Sequence, residues 1–498
     1  MDTLSRDELN ELAASYGVGL PDAQAETVRD LVNDFLAPLD AIEEVQTPAD
    51  RSEETGERSW RRPDPGADPC GAVVHRCDVP PAGDGPLSEM TVGVKDIMSV
   101  AGVPMECGSD VMRGFVSGRD ATVVERMREA GARVTATLAC DEFAGSARGT
   151  TGSGGPVRNP HDLERTASGS SGGSAVAVAE GTVDVALGSD TGGSIRMPAA
   201  VCGVVGLKPT HGLVPLAGVA ENTYTQDHVG PLATSVADCA QVLSAIAGKT
   251  PDDPGSMVAA GRDTYRVGGY VEAAADPPAA ADITLAVVEE GMAKGVRDEV
   301  VDRTASALDL LRDAGVTVER VSIPEYHQTP VVKNLLSLSE LAAHWRAGGA
   351  PYRRGGVVDP GYQDALQTRT RANPDRLGAF YRSKLLAGAQ LLERGGRRYT
   401  RAQAAREVVR EAFETALDGV DALVAPTMPD IAPRIKDVAD PGFDWSLNTR
   451  PADVTRQPAM SLPVGRVEGM PVGLHLQTGA FEEASLLGVA ARVEATLD

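Results

Sequence analysis

Lysine is scarce in this chain, with seven residues against 40 arginines among 498. Acidic residues outnumber basic ones 71 to 47, for a formal charge of −24. Such a chain offers no basic footprint for nucleic acid and no general attraction to an anionic membrane. Excess carboxylate with little lysine fits a salty interior, where self-repulsion is screened. It fits an ordinary acidic surface equally well. The six cysteines (70, 77, 107, 140, 202, 239) include no C-x-x-C spacing and no paired histidines, so neither a zinc site nor a disulfide framework is indicated. Buried free thiols in a reducing cytosol are the simplest account, and a cytoplasmic location is expected. No uncharged apolar run approaches the ~18 residues of a membrane span, and the N-terminus has no basic segment followed by an apolar one, the mark of a secretion signal.

What the chain does have is glycine and serine, concentrated between Gly169 and Ser194. The stretch opens G-S-S-G-G-S and closes G-S-D-T-G-G-S-I-R, with Ser170 and Ser194 24 residues apart. Glycine lets backbone approach a ligand closely, so Asp190-Thr-Gly-Gly-Ser194 can turn successive N–H groups toward one point. Such a nest can hold the oxyanion of a tetrahedral intermediate, and the serine at its end is placed to attack the gripped carbonyl. A serine hydroxyl needs a base to take its proton. None of the seven histidines falls in these motifs. Lys95, after the apolar, strand-like Thr91-Val-Gly-Val94, is the ionisable residue with the right surroundings. No Gly-Lys-Ser/Thr follows Gly169–Gly173, no G-x-G-x-x-G precedes a helix, and no G-x-S-x-G elbow surrounds either serine, which removes the phosphate-loop, dinucleotide and α/β-hydrolase readings.

On these motifs, together with Gly155-Pro-Val-Arg-Asn-Pro160, Cys202-Gly-Val-Val-Gly-Leu-Lys-Pro-Thr210 and Gly469-Met-Pro-Val-Gly-Leu474, the chain resembles the amidase signature family. The resemblance runs from roughly Pro86 to the C-terminus. Its pattern is closest to amidases of the nitrile-degradation type, which also carry a helical N-terminal extension. Position by position, it implies Ser194 as nucleophile, Ser170 as the proton-relaying serine after a cis peptide, and Lys95 as base. Thr191, Gly192 and Gly193, with Ser194, would supply oxyanion-hole N–H groups. From their places in the chain, Ser171, Asp190 and Arg196 are expected to support the loop, Arg196 by pairing with Asp190, and Phe143 and Gly169 to border the substrate. The resemblance implies hydrolysis of a carboxylic amide to acid and ammonia or amine through an acyl-serine, with no metal or organic cofactor. The alternatives are the glutamine-hydrolysing component of a tRNA-dependent amidotransferase, an aryl-acylamide or hydrazide hydrolase, and a non-catalytic scaffold of the same fold. A lysine base must be largely neutral. Free lysine titrates at roughly 10.4, so Lys95 is expected buried, with Asp96 on the opposite strand face and out of reach.

The expected fold is α/β: an α/β/α sandwich around a large mixed, mostly parallel sheet, with residues 71–498 as catalytic domain and 1–70 as helical region and linker. Residues 4–45 read as helices, opened by the capping-box candidate Ser5-x-x-Glu8. These helices can serve as a cap or as the arm of a homodimer. Residues 47–70 are charged and proline-rich and read as a surface linker. Strand 91–95, helix 120–130 and strand 133–138 form one β-α-β unit, and 283–288, 298–314 and 316–323 another. Residues 173–180 read as a helix whose positive N-terminus faces the serines, and residues 249–280 as a loose connection. Cys107 reads as core or pocket lining, Lys208 as structural, and Asp227 and His228 as shaping the loop beside the site. Substrate-selecting residues are sought in the helical 325–400 segment, with Tyr326, Leu335, Trp345 and Tyr381 as candidates.

Overall fold

The computed structural model describes residues 3–44, 58–64, 66–293, 295–350, 356, 359–439 and 443–497, so half of the 47–70 linker lies outside the described residues. The chain forms two compact units, one ending near residue 52 and the other running from there to the C-terminus. In the first, helices Arg6–Ser15 and Asp22–Leu36 are followed by the tighter turns of Ala37–Glu44. Ser5 and Glu8 exchange the two hydrogen bonds of a capping box, and Leu4 N donates to Asn33 Oδ1 at 2.8 Å.

The second unit is built on a twelve-stranded sheet. Its order is Ser59–Arg61, Val73–Val79, Arg133–Leu138, Thr91–Lys95, Val185–Asp190, His228–Ala233, Val205–Lys208, Ala459–Val467, Met470–Gln477, Ala422–Pro426, Thr284–Val288, Thr317–Val321. The sheet is mixed, but the expected predominance of parallel strands is corrected. Parallel pairing is confined to two blocks, around Thr91–Lys95 and around Thr284–Val288. These are the places where a helix crosses between strands, which parallel pairing requires. The centre and the Ser59 edge are antiparallel. There the chain returns by short connections such as the turn between Val467 and Met470.

Helices Thr122–Glu129, Val236–Ile246, Asp298–Asp313 and Glu483–Leu497 pack together on the sheet, and Gly172–Ala179 and Arg196–Cys202 pack on its central strands. Val92, Val94, Val185, Leu187, Val205 and Leu207 are shielded from solvent in the core. Complete burial of aliphatic side chains of this kind contributes about 1.5–3 kcal/mol each. Residues 249–280 are less loose than expected, holding the short helices Pro254–Ala260 and Tyr270–Ala275. No helix of the described residues is long and apolar enough to cross a membrane.

Candidate active site

Strand Thr91–Lys95 lies parallel to Val185–Asp190 with Val94 opposite Leu187. That register brings Lys95, the last residue of its strand, level with the start of the glycine-rich loop. Lys95 is fully buried. Its Nζ lies 2.6 Å from Ser170 Oγ, 2.9 Å from Ser171 Oγ and 2.8 Å from Ser189 Oγ. Three hydroxyls are what a lysine amine can satisfy in either state, through three N–H groups when protonated or two N–H groups and a lone pair when neutral. The Ser171 hydroxyl donates to Ser189 O at 3.1 Å and accepts from Ser189 N at 3.2 Å, tying the turn before the helix to the strand end. The Gly169–Ser170 peptide is cis.

Burial holds the Lys95 amine down to about 8, against the opposing pull of Cys140, Asp141, Asp190 and Asp227. Burial thus moves the amine toward the neutral form that a general base requires, in the direction expected from sequence. Asp96 turns away, accepting from Glu106 N at 3.0 Å and Gly108 N at 3.4 Å, and burial pushes its carboxyl up to about 8.

The loop from Asp190 to Ser194 is clamped from below. Asp190 Oδ1 accepts from Gly193 N at 2.6 Å and from Arg196 Nη2 at 2.9 Å, while Oδ2 accepts from Ile195 N at 3.1 Å and Arg196 Nε at 3.0 Å. Arg196 continues to Asp453 Oδ2 and to the carbonyl of Thr449, each at 2.8 Å. Burial alone would raise the Asp190 carboxyl, but Arg196 and then Lys208 hold it well below the usual carboxylate range. One expected oxyanion donor is corrected: the Gly193 amide points at Asp190 rather than into the site. The N–H groups of Thr191, Gly192 and Ser194 are not spent on any partner among the described residues. Thr191 Oγ1 donates to Asp227 Oδ1 at 2.6 Å, and His228 Nδ1 lies 3.0 Å from the Asp190 carbonyl. Lys208 is buried, with its Nζ donating to Gln457 O at 2.6 Å.

Ser194 opens onto a cavity of about 420 Å³ whose walls also include Thr191, Gly192, Lys333, Lys384 and Trp445. Neither Phe143 nor Gly169, the two expected substrate contacts, is among the residues that line it. Phe143 stands behind the wall, packed edge-on against Trp345 with ring centroids 5.6 Å apart and tilted against Tyr381 at 5.1 Å. Gly169 has no room for a side chain, because a β-carbon there would sit 2.0 Å from Asp141 Oδ2. Tyr326 is buried against Asn448, and Cys107 is core. The sequence reading missed Ser189 as a partner of Lys95. It also missed Lys333 and Lys384 on the helices Thr329–Arg346 and Ala379–Glu393. In a chain with seven lysines, two within one arginine-rich helical segment were the available signal.

Residues 78–487 match the family model described as Amidase. The chain belongs to the amidase family. Over 429 residues it is 37% identical to a protein of Halobacterium salinarum, the A subunit of glutamyl-tRNA(Gln) amidotransferase, covering 85% of this chain and 99% of that one. It is equally 37% identical over 456 residues to an enantioselective amidase of Rhodococcus rhodochrous, covering 88% and 86%. Among solved structures, the native peptide amidase of Stenotrophomonas maltophilia superposes with a TM-score of 0.71 at 31% identity, covering 83% of each chain. This amidase-family chain is an amide-hydrolysing enzyme with the fold those structures share.

Proposed function

We propose that the protein hydrolyses small carboxylic amides to acid and ammonia or amine, with Ser194 as nucleophile, Ser170 as proton relay and Lys95 as base. The observation that carries this reading is the buried Lys95 amine, 2.6 Å from the Ser170 hydroxyl, with the next residue's amide, Ser171 N, donating to the carbonyl of the cavity-lining Ser194 at 3.2 Å. The lone pair of neutral Lys95 takes the Ser170 proton as Ser170 takes that of Ser194, and the Ser194 oxygen attacks the amide carbon. The amides of Thr191, Gly192 and Ser194 face the resulting oxyanion. The proton returns by the same route to the departing nitrogen, and water then hydrolyses the acyl-serine with the base again engaged. The reaction needs no metal or organic cofactor, and the acidic surface fits neither a nucleic-acid nor a membrane partner.

Likeness to the amidotransferase protein supports a second reading, glutamine hydrolysis that supplies ammonia to a partner. Against it stands the helical segment before residue 78, which lies outside the family match. A panel of acetamide, benzamide, an anilide, a hydrazide and glutamine, given to the isolated chain, separates the readings. Turnover of simple amides without glutamine supports the first, and turnover of glutamine alone overturns it.

A further inference from the structure

The cavity beside Ser194 carries a charge opposite to that of the chain. Among the described residues its lining includes Lys333, Lys384 and Arg148 and no aspartate or glutamate, in a protein of net charge −24. The nearby carboxylates are committed elsewhere. Asp227 accepts from Thr191 Oγ1 and from the amides of Asn222 and Thr223. Asp444 pairs with Arg450, and Asp453 with Arg196.

Lys333 is half-buried and makes no hydrogen bond or ion pair with any of the described residues. Its side chain lies directly over the nucleophile loop, since a β-carbon on Gly192 would meet Lys333 Cε at 3.2 Å and Nζ at 3.5 Å. Lys384 approaches from the neighbouring helix and donates one hydrogen bond, to Gly145 O at 2.7 Å. The Arg148 guanidinium lies over the Phe380 ring, 4.5 Å from its centroid. Two amines share a cavity wall without a carboxylate between them. Desolvation and then the charge of Lys333 hold the Lys384 amine down to about 7, and Lys333 is itself lowered, first by desolvation. An anionic ligand in the cavity would stabilise the charged form of both amines, which desolvation disfavours.

We infer that Lys333 and Lys384 form an anion subsite, and that the substrate is an amide bearing a carboxylate, such as the half-amide of a short dicarboxylic acid. This deepens the proposed amidase reading and rests on it. The lining has no acidic side chain among the described residues to receive an α-ammonium group, so the simple half-amide fits the cavity better than an amino acid does.

Glutaramate, valeramide and glutamine test the inference. Glutaramate carries a carboxylate where valeramide has a methyl group, and glutamine adds only the α-ammonium. The expected order of kcat/KM is glutaramate at least tenfold over both others. Lys333→Met and Lys384→Met are each expected to reduce the glutaramate-to-valeramide ratio, mainly through KM. Equal or better turnover of valeramide overturns the subsite and leaves the amidase reading intact. If no amide is turned over, the amidase reading is the one that fails, and binding then decides the subsite. Calorimetric titration of the Ser194→Ala protein with glutarate is expected to show saturable binding that Lys333→Met removes. Absence of binding, or binding indifferent to Lys333→Met in protein with an unchanged circular dichroism spectrum, overturns the inference.

Discussion

Lys95 Nζ and Ser170 Oγ lie 2.6 Å apart, both cut off from solvent. The amine titrates near 8, and only its neutral form has a lone pair to offer. The rate is therefore expected to rise with pH, by roughly tenfold per unit below that value, and to level above it. On an amide whose chemistry is rate-limiting, kcat/KM from pH 5.5 to 9.5 should show this single acidic limb. A profile flat across that range would remove Lys95 as the base. Lys95→Met, with a side chain of similar length and no lone-pair nitrogen, is expected to lower kcat by about 10²–10⁴-fold or more while preserving the fold.

Of the two motif serines, Ser194 borders the cavity, whereas Ser170 is fully buried. A fluorophosphonate is accordingly expected to label the wild-type protein once, at Ser194, and to leave Ser194→Ala unlabelled. Ser170→Ala should still be labelled, but more slowly, because its nucleophile keeps its position and loses its route to the base. Mass spectrometry of the intact protein and of its peptides reads both outcomes. Equal labelling rates in Ser170→Ala and wild type would exclude the relay.

Arg196 bridges Asp190 and Asp453, with all three side chains fully buried. Removing one member of a buried ionic set leaves the others uncompensated, at a cost of about 3–5 kcal/mol. Arg196→Met is expected to lower the thermal midpoint markedly and to weaken catalysis, because Asp190 also holds the Gly193 and Ile195 amides. Arg196→Lys should not restore stability. One ammonium cannot reproduce the guanidinium's simultaneous bonds to Asp190, Asp453 and the Thr449 carbonyl. Differential scanning calorimetry of the two variants checks both statements.

Local chemistry made much of this site legible in sequence. The serine–glycine motifs, the apolar strand before Lys95 and the crossover units at 91–138 and 283–321 are properties of neighbouring residues, and the structure contains them. What escaped depends on contacts between distant segments. Ser189 meets Lys95 across 94 residues only because two parallel strands share a register. The antiparallel centre of the sheet carries buried strands whose apolar pattern is the same for either direction of pairing. Lys333 and Lys384 reach the cavity through the packing of two helices that lie far beyond Ser194 in the chain. Phe143 followed the usual tendency of an aromatic at a strand end to pack inward, against Trp345 and Tyr381.

Gly169 offers a test of how the relay serine is positioned. A methyl group there would lie 2.0 Å from Asp141 Oδ2 and 2.9 Å from Gly149 N. Asp141 cannot swing aside freely, since its carboxylate accepts from Gly149 N, Thr151 N and Thr151 Oγ1. Gly169→Ala must therefore shift the backbone next to Ser170, with an overpacking cost of about 1–3 kcal/mol. The displaced hydroxyl should lower kcat far more than it raises KM. Asp141→Ala removes the obstructing oxygens, so the penalty of Gly169→Ala should shrink in that background, and a double-mutant cycle in urea measures the coupling. Strict additivity would mean that Asp141 is not what excludes a side chain at 169. Gly149 N, 2.9 Å from the added methyl, would then be the atom that excludes it.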